Sequence, residues 1–430
     1  MKKVNALQHK ELLSRLLRVC FVFAAFANLS IAVVAQPLFT RTTFNDTYTA
    51  ISTGSGATVS TATGNDVNQT AIPLGFTFNY AGTNYTTIGL NTNGLLWFDA
   101  TAPSTTDGNS NNRLYSTLGT DQNITAWWVD MTDDASSDIL YQTQGSVGSR
   151  TFTVQYTNYP HYQGSGGTNV RLNFQVILYE TTNVIELRYG SMAITGAPTA
   201  SEGACIGIEY GAGGPPNYID AVTGSSAIGH MMLSPLVAWP TYNFRFTPGS
   251  PTPIAGGTYN VGIGQTYPSI TLAVADLNHR GISGPVTLNL TDAQYDTTAA
   301  NGSNIFPIFV GPVAGTSEVN TLTISKTGTP ATLAYHGSPI TSGAFANANS
   351  TTTLGDEVEP ILGLCASYTT ISNVNLISHG TAPHKVEIGL ELFEADDILG
   401  AQHNLLDKIT VDLDRANTST IWSPSVVAIS

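Results

Sequence analysis

From about Leu38 to Phe246, apolar and polar residues alternate with a period of two. Ile72, Leu74, Phe76, Phe78 and Tyr80 interleave with small or polar residues, and Ala81-Gly82-Thr83-Asn84 then reads as a turn. Ile88 and Leu90 lead into a second turn, Asn91-Thr92-Asn93-Gly94, and Leu95 to Phe98 leaves it. Asn-Gly between apolar runs signals a hairpin, because that turn needs positive φ. Further alternating segments run Thr151 to Tyr156, Arg171 to Tyr179, Val184 to Tyr189, Cys205 to Tyr210 and Tyr242 to Phe246. Several short strands with turns between them predict a β-sandwich with one wet face per sheet, over residues 36–247. Residues 248–256, rich in Pro and Gly, read as a linker.

The period changes after Gly257. Thr258 to Val261 reads as a short strand, followed by a Gly turn and a helix opening near Pro268 and Ser269. Pro is tolerated at the first helical position because the N–H it lacks has no partner there. Ile270, Ala273, Val274 and Leu277 fall at helical spacing and form one apolar stripe. A hydrophobic strand, Pro285 to Leu290, comes next. This order suggests the entrance to a right-handed parallel β-helix, with the helix covering a first coil that has no neighbour. Residues 370–376 and 405–411 share an alternating pattern at an offset of 35. That offset exceeds one plain coil, so a loop or an extra rung is expected between them, with Val386 to Leu392 a candidate strand. This half resembles the pectin-lyase-like β-helices, and the resemblance implies that Asn404 stands where those families stack an asparagine inside the turn, bonding from coil to coil. The predicted fold class is therefore all-β: an N-terminal sandwich, then a partial β-helix over 257–430 with an N-terminal capping helix.

Lys2, Lys3, Lys10, Arg15 and Arg18 precede an apolar run from Val19 to Ala35, which ends in a small-residue cleavage pattern at Val33 and Ala35. Residues 1–35 therefore read as a secretory signal peptide, with Gln36 the mature start and no membrane span after its removal. The signal carries five of the 16 Lys and Arg and one of the 30 Asp and Glu, leaving 11 cations against 29 anions, net −18. Such a chain is a poor partner for nucleic acid, whose phosphates reward Lys and Arg. Cys20 leaves with the signal; Cys205 and Cys365 sit in apolar surroundings and read as buried small side chains.

Ile72 to Phe98, Ile124 to Asp130, Asn173 to Tyr179 and Ile185 to Gly190 together resemble the nidogen-like β-domains of large secreted bacterial surface proteins. The second half is similar to the pectin-lyase-like β-helix regions that accompany such domains in type IX secretion cargo. The resemblance implies architecture and a secreted or outer-surface location. Residues 258–430 allow only a few coils and show no type IX sorting domain, so it also implies the front part of a longer protein or a truncated product.

Familiar catalytic motifs (G-x-S-x-G, H-E-x-x-H, C-x-x-C, G-x-x-x-x-G-K-[ST]) do not occur. His279, His379 and His403 fall in turn-like contexts and are read as solvated. Asp130, Asp133, Asp134 and Asp138 share one loop beside Trp127 and Trp128. Hard carboxylate oxygens at such spacing are the chain's candidate ligands for Ca²⁺, the one cofactor considered, against the plainer reading of a solvated acidic turn. Tyr159, His161 and Tyr162, in the Gly-rich stretch that ends at Gly167, are candidate ligand-binding groups, since exposed rings stack on sugars. Asp396, Asp397, Asp407, Asp412 and Asp414, with Lys408 and Arg415, form a second acidic group. Alternation sets Lys408, Asp412 and Asp414 on one outer face, where a solvated solenoid surface is the main reading and lyase chemistry the other. No catalytic residue is assigned. The expected function is a secreted non-catalytic surface scaffold or adhesin that binds extracellular polysaccharide or a surface protein. The alternative is a fragment of a polysaccharide lyase or hydrolase whose active coils lie downstream.

Overall fold

A computed structural model describes residues 38–98, 122–162, 170–194, 204–211, 217–221, 242–296, 308–335, 360–378, 388–392, 401–413 and 425–429, together with 102, 240 and 304. The signal-peptide reading at 1–35 lies outside the described residues, as do His379, Asp396, Asp397, Asp414 and Arg415.

Two antiparallel sheets share one core in the first half. One runs β1 (Phe39–Phe44), β14 (Asn243–Pro248), β10 (Ile185–Tyr189), β9 (Val170–Tyr179), β8 (Thr151–Pro160), β7 (Asp138–Gln144), β2 (Thr58–Val59), with β11 (Ala193–Ile194) beside β9. The other runs β13 (Tyr218–Asp220), β12 (Cys205–Glu209), β6 (Asn123–Trp128), β5 (Leu95–Trp97), β4 (Thr83–Asn91), β3 (Asn68–Tyr80). The alternation in β3 does what the pattern asks: Ile72, Leu74, Phe76, Phe78 and Tyr80 are buried against Phe152, Val154, Phe174 and Val176 of the facing sheet. Burying an apolar side chain of that size is worth roughly 1.5–3 kcal/mol, so the shared core is the main stabilising term. Tyr80 keeps its polar end satisfied by donating its hydroxyl to the carbonyls of Asn123 and Glu209.

The expected turn at 91–94 is present and more deeply used than a surface hairpin. Gly94 has φ 84°, and a Cβ there would lie 2.2 Å from the Trp127 carbonyl oxygen. Only glycine meets both demands.

From Gly257 onward every strand pairing among the described residues is parallel. One sheet runs β15 (Gly257–Val261), β16 (Val286–Leu290), β19 (Leu322–Ser325), β22 (Thr369–Ser378), β20 (Ala331–Tyr335), β17 (Gln294–Asp296), with β24 (Leu405–Leu413) against β22. A second runs β18 (Ile308–Val310), β21 (Pro360–Leu364), β23 (Ile388–Leu392), β25 (Ser425–Ile429). The inferred offset of 35 is the actual register: Thr370 pairs with Leu405 and Leu376 with Val411. No extra rung intervenes. The candidate strand is present at 388–392 and belongs to the second sheet, so of the two expected alternatives the longer connection holds and the extra rung does not.

Asn373 and Lys408 have positive φ, 60° and 53°, at matching points of β22 and β24. Each bends its strand, so β22 pairs with β19 through Thr369–Ser372 and with β20 through Val374–Ser378. The same bend breaks the alternation across Lys408: Leu406 and Ile409, three residues apart, both pack inward.

Helix α1 (Ile270–Arg280) follows β15, and the Ser269 hydroxyl caps it by accepting from the Leu272 N–H at 3.2 Å. Pro268 therefore sits one residue before the cap, not inside the first turn. Ile270, Ala273, Val274 and Leu277 are fully buried in the core of the parallel stack, as the stripe predicts. The helix also touches β1 and β13. His279, read from sequence as solvated, is buried on its last turn, and its Nε2 accepts the Arg41 N–H at 2.9 Å. Residues 248–256, read as a linker, are held to the segment after α1 at one residue. Buried Ile254 bridges to Ile282, donates to the Gly281 carbonyl at 2.9 Å and accepts from the Ser283 N–H at 2.9 Å. Cys205 and Cys365 are both buried, as expected.

Candidate functional site

The two groups singled out on the first half of the chain meet at one corner of the sandwich. Met131 and His161 form an antiparallel bridge, the Tyr162 N–H donates to the Asp130 carbonyl at 2.9 Å, and the Thr132 N–H donates to the Pro160 carbonyl at 3.2 Å. The 91–94 turn clamps this segment from beneath. Asn91 Oδ1 accepts the N–H groups of Asn93 and Leu95, each at 3.0 Å, which shapes the turn. Asn93 Oδ1 then accepts the Met131 N–H at 2.9 Å, its carbonyl accepts the Val129 N–H at 3.2 Å, and its Nδ2 donates to Asp66 at 2.8 Å. Asn93 is fully buried, so these bonds satisfy donors and acceptors that would otherwise cost about 1–3 kcal/mol each.

The four aspartates part company here. Asp130 is buried, at 3% exposure. Asp133 accepts the Gly64 N–H at 2.6 Å. Asp134 takes the Ser136 N–H and hydroxyl on one oxygen and Arg171 at 2.6 Å on the other. The Arg171 hydrogen bond, ahead of the contributions from Ser136, holds the Asp134 carboxyl well below the usual range. Asp138 opens β7, exposed, with its backbone paired to Thr157. Among the described residues no three Asp, Glu, His or Cys side chains gather in a way that could hold a metal ion. The acidic loop is thus organised chiefly by its own backbone and by Arg171.

Two of the three proposed stacking groups are core residues, which corrects the sequence reading. Tyr159 and His161 are fully buried, and Tyr159 packs edge-on against Tyr156 at 5.2 Å. The cause is a bulge between Tyr156 and Tyr159: Asn158 adopts φ 46° and restarts the alternation, so both tyrosines turn inward. Burial, with the nearby charge of Asp133, raises the Tyr159 phenol far above its ordinary value. Burial lowers the His161 imidazole to about 4, so it is neutral at physiological pH. Tyr162 alone of the three reaches solvent, at 37% exposure.

A second charged cluster lies on the β10–β14 face, and sequence reading missed it. Buried Glu186 accepts from Arg188, Arg245 and Tyr179, and both guanidinium groups lie over the Phe44 ring. Glu186 and Arg188 are one alternation apart, and Arg245 pairs with Glu186 across the ladder. The signal was available only to someone who already knew the register. On the parallel stack, Lys408 and Asp407 stand 3.9 Å apart, both well exposed, in the manner of a solvated outer face.

None of these clusters sets a nucleophile against a base. Asp133 and Asp134 at the corner, and Glu186 on the β10–β14 face, spend their carboxylate oxygens holding chain segments together. No curated protein and no solved structure matches the chain. The family model described as NIDO related matches residues 38–235, the span that contains both the corner and most of the sandwich, so the chain carries a NIDO-related β-domain over those residues.

Proposed function

We propose that this chain is an exported, non-catalytic surface scaffold or adhesin. In this reading residues 1–35 direct export, the NIDO-related domain presents loops at the ends of its sheets, and the parallel stack is the start of a right-handed β-helix that serves as a stalk. The observation that carries the reading is the corner at Asp130–Tyr162. There, the residues with the most chemical potential in the domain are committed to backbone hydrogen bonds, an ion pair and core packing. A pre-formed catalytic site keeps acids, bases and nucleophiles within reach of one another and of a substrate; this corner does neither. Loops on a rigid β scaffold remain the natural place for recognition.

The test is incubation of the full chain with a panel of extracellular polysaccharides, uronate-rich ones with Ca²⁺ included, following both retention on the polymer and the absorbance of unsaturated products. Retention without product is the expected result. Product from any member of the panel overturns the non-catalytic reading in favour of a polysaccharide lyase.

A further inference from the structure

A histidine stands in the contact that α1 makes with β1 and β13. β1 is the edge strand of its sheet, paired on one side with β14. On that side the Leu38 carbonyl accepts the Gly249 N–H at 2.9 Å. On the open side the Arg41 N–H donates to His279 Nε2 at 2.9 Å. The helix thus covers part of an edge that would otherwise present an unpaired donor. Arg41 and His279 are both buried, at 6% and 5% exposure.

This bond works in one protonation state of the ring. A neutral imidazole has one nitrogen that accepts and one that donates. Nε2 accepts, so the proton sits on Nδ1, which is buried without a protein partner. A second proton would have to go on Nε2, and two donors would then face each other. The charges acting on the ring are Arg41 of β1 and Arg280 of α1, both cations, and with burial they hold the imidazole at about 3. Asp276 is committed to Arg280 at 2.9 Å and to the Tyr267 hydroxyl at 2.6 Å. The Arg41 guanidinium donates to the Ala221 carbonyl next to β13. β18, also packed on the helix, brings Ile308, Phe309 and Val310, which do not ionise.

The chain has a pivot beside this contact. Gly249 is tied to β1 twice, through its N–H to Leu38 and by accepting the Thr40 hydroxyl at 3.1 Å. Thr252 accepts from the Arg280 guanidinium at 2.8 Å, and Ile254 bonds to Gly281 and Ser283. Only Ser250 and Pro251 separate the two sets of ties. We propose that the contact is an acid-sensitive latch: protonation of His279 releases the Arg41 N–H, and the parallel stack turns about Ser250–Pro251 away from the edge of the sandwich while each body stays folded. Once open, His279 titrates near 6.5. The latch is therefore at full strength above about pH 6.5, and each unit below that favours the open form about tenfold, until the value of the closed state is reached.

Hydrogen exchange of the full chain between pH 7 and pH 4.5, corrected for the intrinsic rate, tests the latch. Protection of the Arg41 amide should lie below that of Phe174 in β9 and Leu288 in β16 at every pH. It should fall about tenfold per unit below pH 6.5. The Gly249 amide should keep its protection, because β1 stays on β14. In His279→Gln, whose side-chain oxygen can still accept from Arg41, protection at Arg41 should no longer depend on pH. Equal protection at Arg41 and the two core amides overturns the proposal, since the contact then opens only with global unfolding. So does protection at Arg41 that ignores pH in the unaltered chain, or a slope that survives in His279→Gln. Loss at Gly249 in step with Arg41 overturns it as well, because β1 would then be fraying from its sheet.

Discussion

His161 and His279 sit neutral inside the protein, and each makes stability depend on pH. Burial lowers His161 to about 4. Burial, reinforced by the charges of Arg41 and Arg280, lowers His279 to about 3. An unfolded histidine titrates near 6.5, so below that pH the unfolded chain binds protons that the folded chain refuses. Stability is therefore complete above about pH 6.5 and falls as the pH drops, by about 1.4 kcal/mol per unit for each histidine. The loss from each ends once the pH passes its folded value. Urea denaturation at neutral pH and near pH 5 should show this slope, and His279→Gln, which can keep an acceptor toward Arg41, should remove one histidine's share of it. An unchanged slope in that variant would contradict the assignment. The same residue scale explains what the sequence hid. Tyr156 and Tyr159 are three apart and point the same way only because Asn158 takes a left-handed conformation. Asparagine tolerates that conformation in many places without adopting it, so the inward turn of Tyr159 and His161 was not readable from period two.

At the level of elements, the strands were legible wherever one face is buried and the other wet, as in β3, where alternation alone picks out the core. The helix was legible too, from its four-residue stripe. The pairing of β22 with β24 was readable from the match of two patterns, and Asn404 supports it as anticipated: its Oδ1 accepts the Thr369 N–H at 2.8 Å and its Nδ2 donates to the Ala366 carbonyl at 2.9 Å. What was not readable is the bend within each strand, since Lys408 carries no mark of a left-handed residue. Asn404→Ala leaves those two groups of the preceding turn of chain without their partner, at a cost of about 1–3 kcal/mol. The effect should be local: faster hydrogen exchange at Thr369 and along β24, with β16 and β19 unchanged. Uniform acceleration along the whole stack would show that Asn404 is not a rung-to-rung tie.

For the molecule as a whole, the junction at 248–256 is a linker by composition that the structure pairs at Ile254. Pro and Gly favour loops and linkers, but they say nothing about whether a loop is then paired. Here Ile254 is bonded on both sides to the segment after α1, and α1 itself touches the sandwich through His279. Limited proteolysis of the native chain should therefore spare 249–256 at protease levels that cut exposed loops, and Ile254→Asp should expose it. Early cleavage there in the unaltered chain would show that the Ile254 pairing does not hold this segment. The pairing of β1 with β14 sets a condition of a different kind. Phe39 lies opposite Pro248 and Phe44 opposite Asn243, so the first strand of the sandwich waits for the last. However early the intervening hairpins zip, a chain emerging from its N-terminus must hold Phe39 unpaired across some 209 residues (248 − 39) before the sheet can close. Long-range closure of that kind slows folding and leaves the sheet open at β1 until β14 has been made.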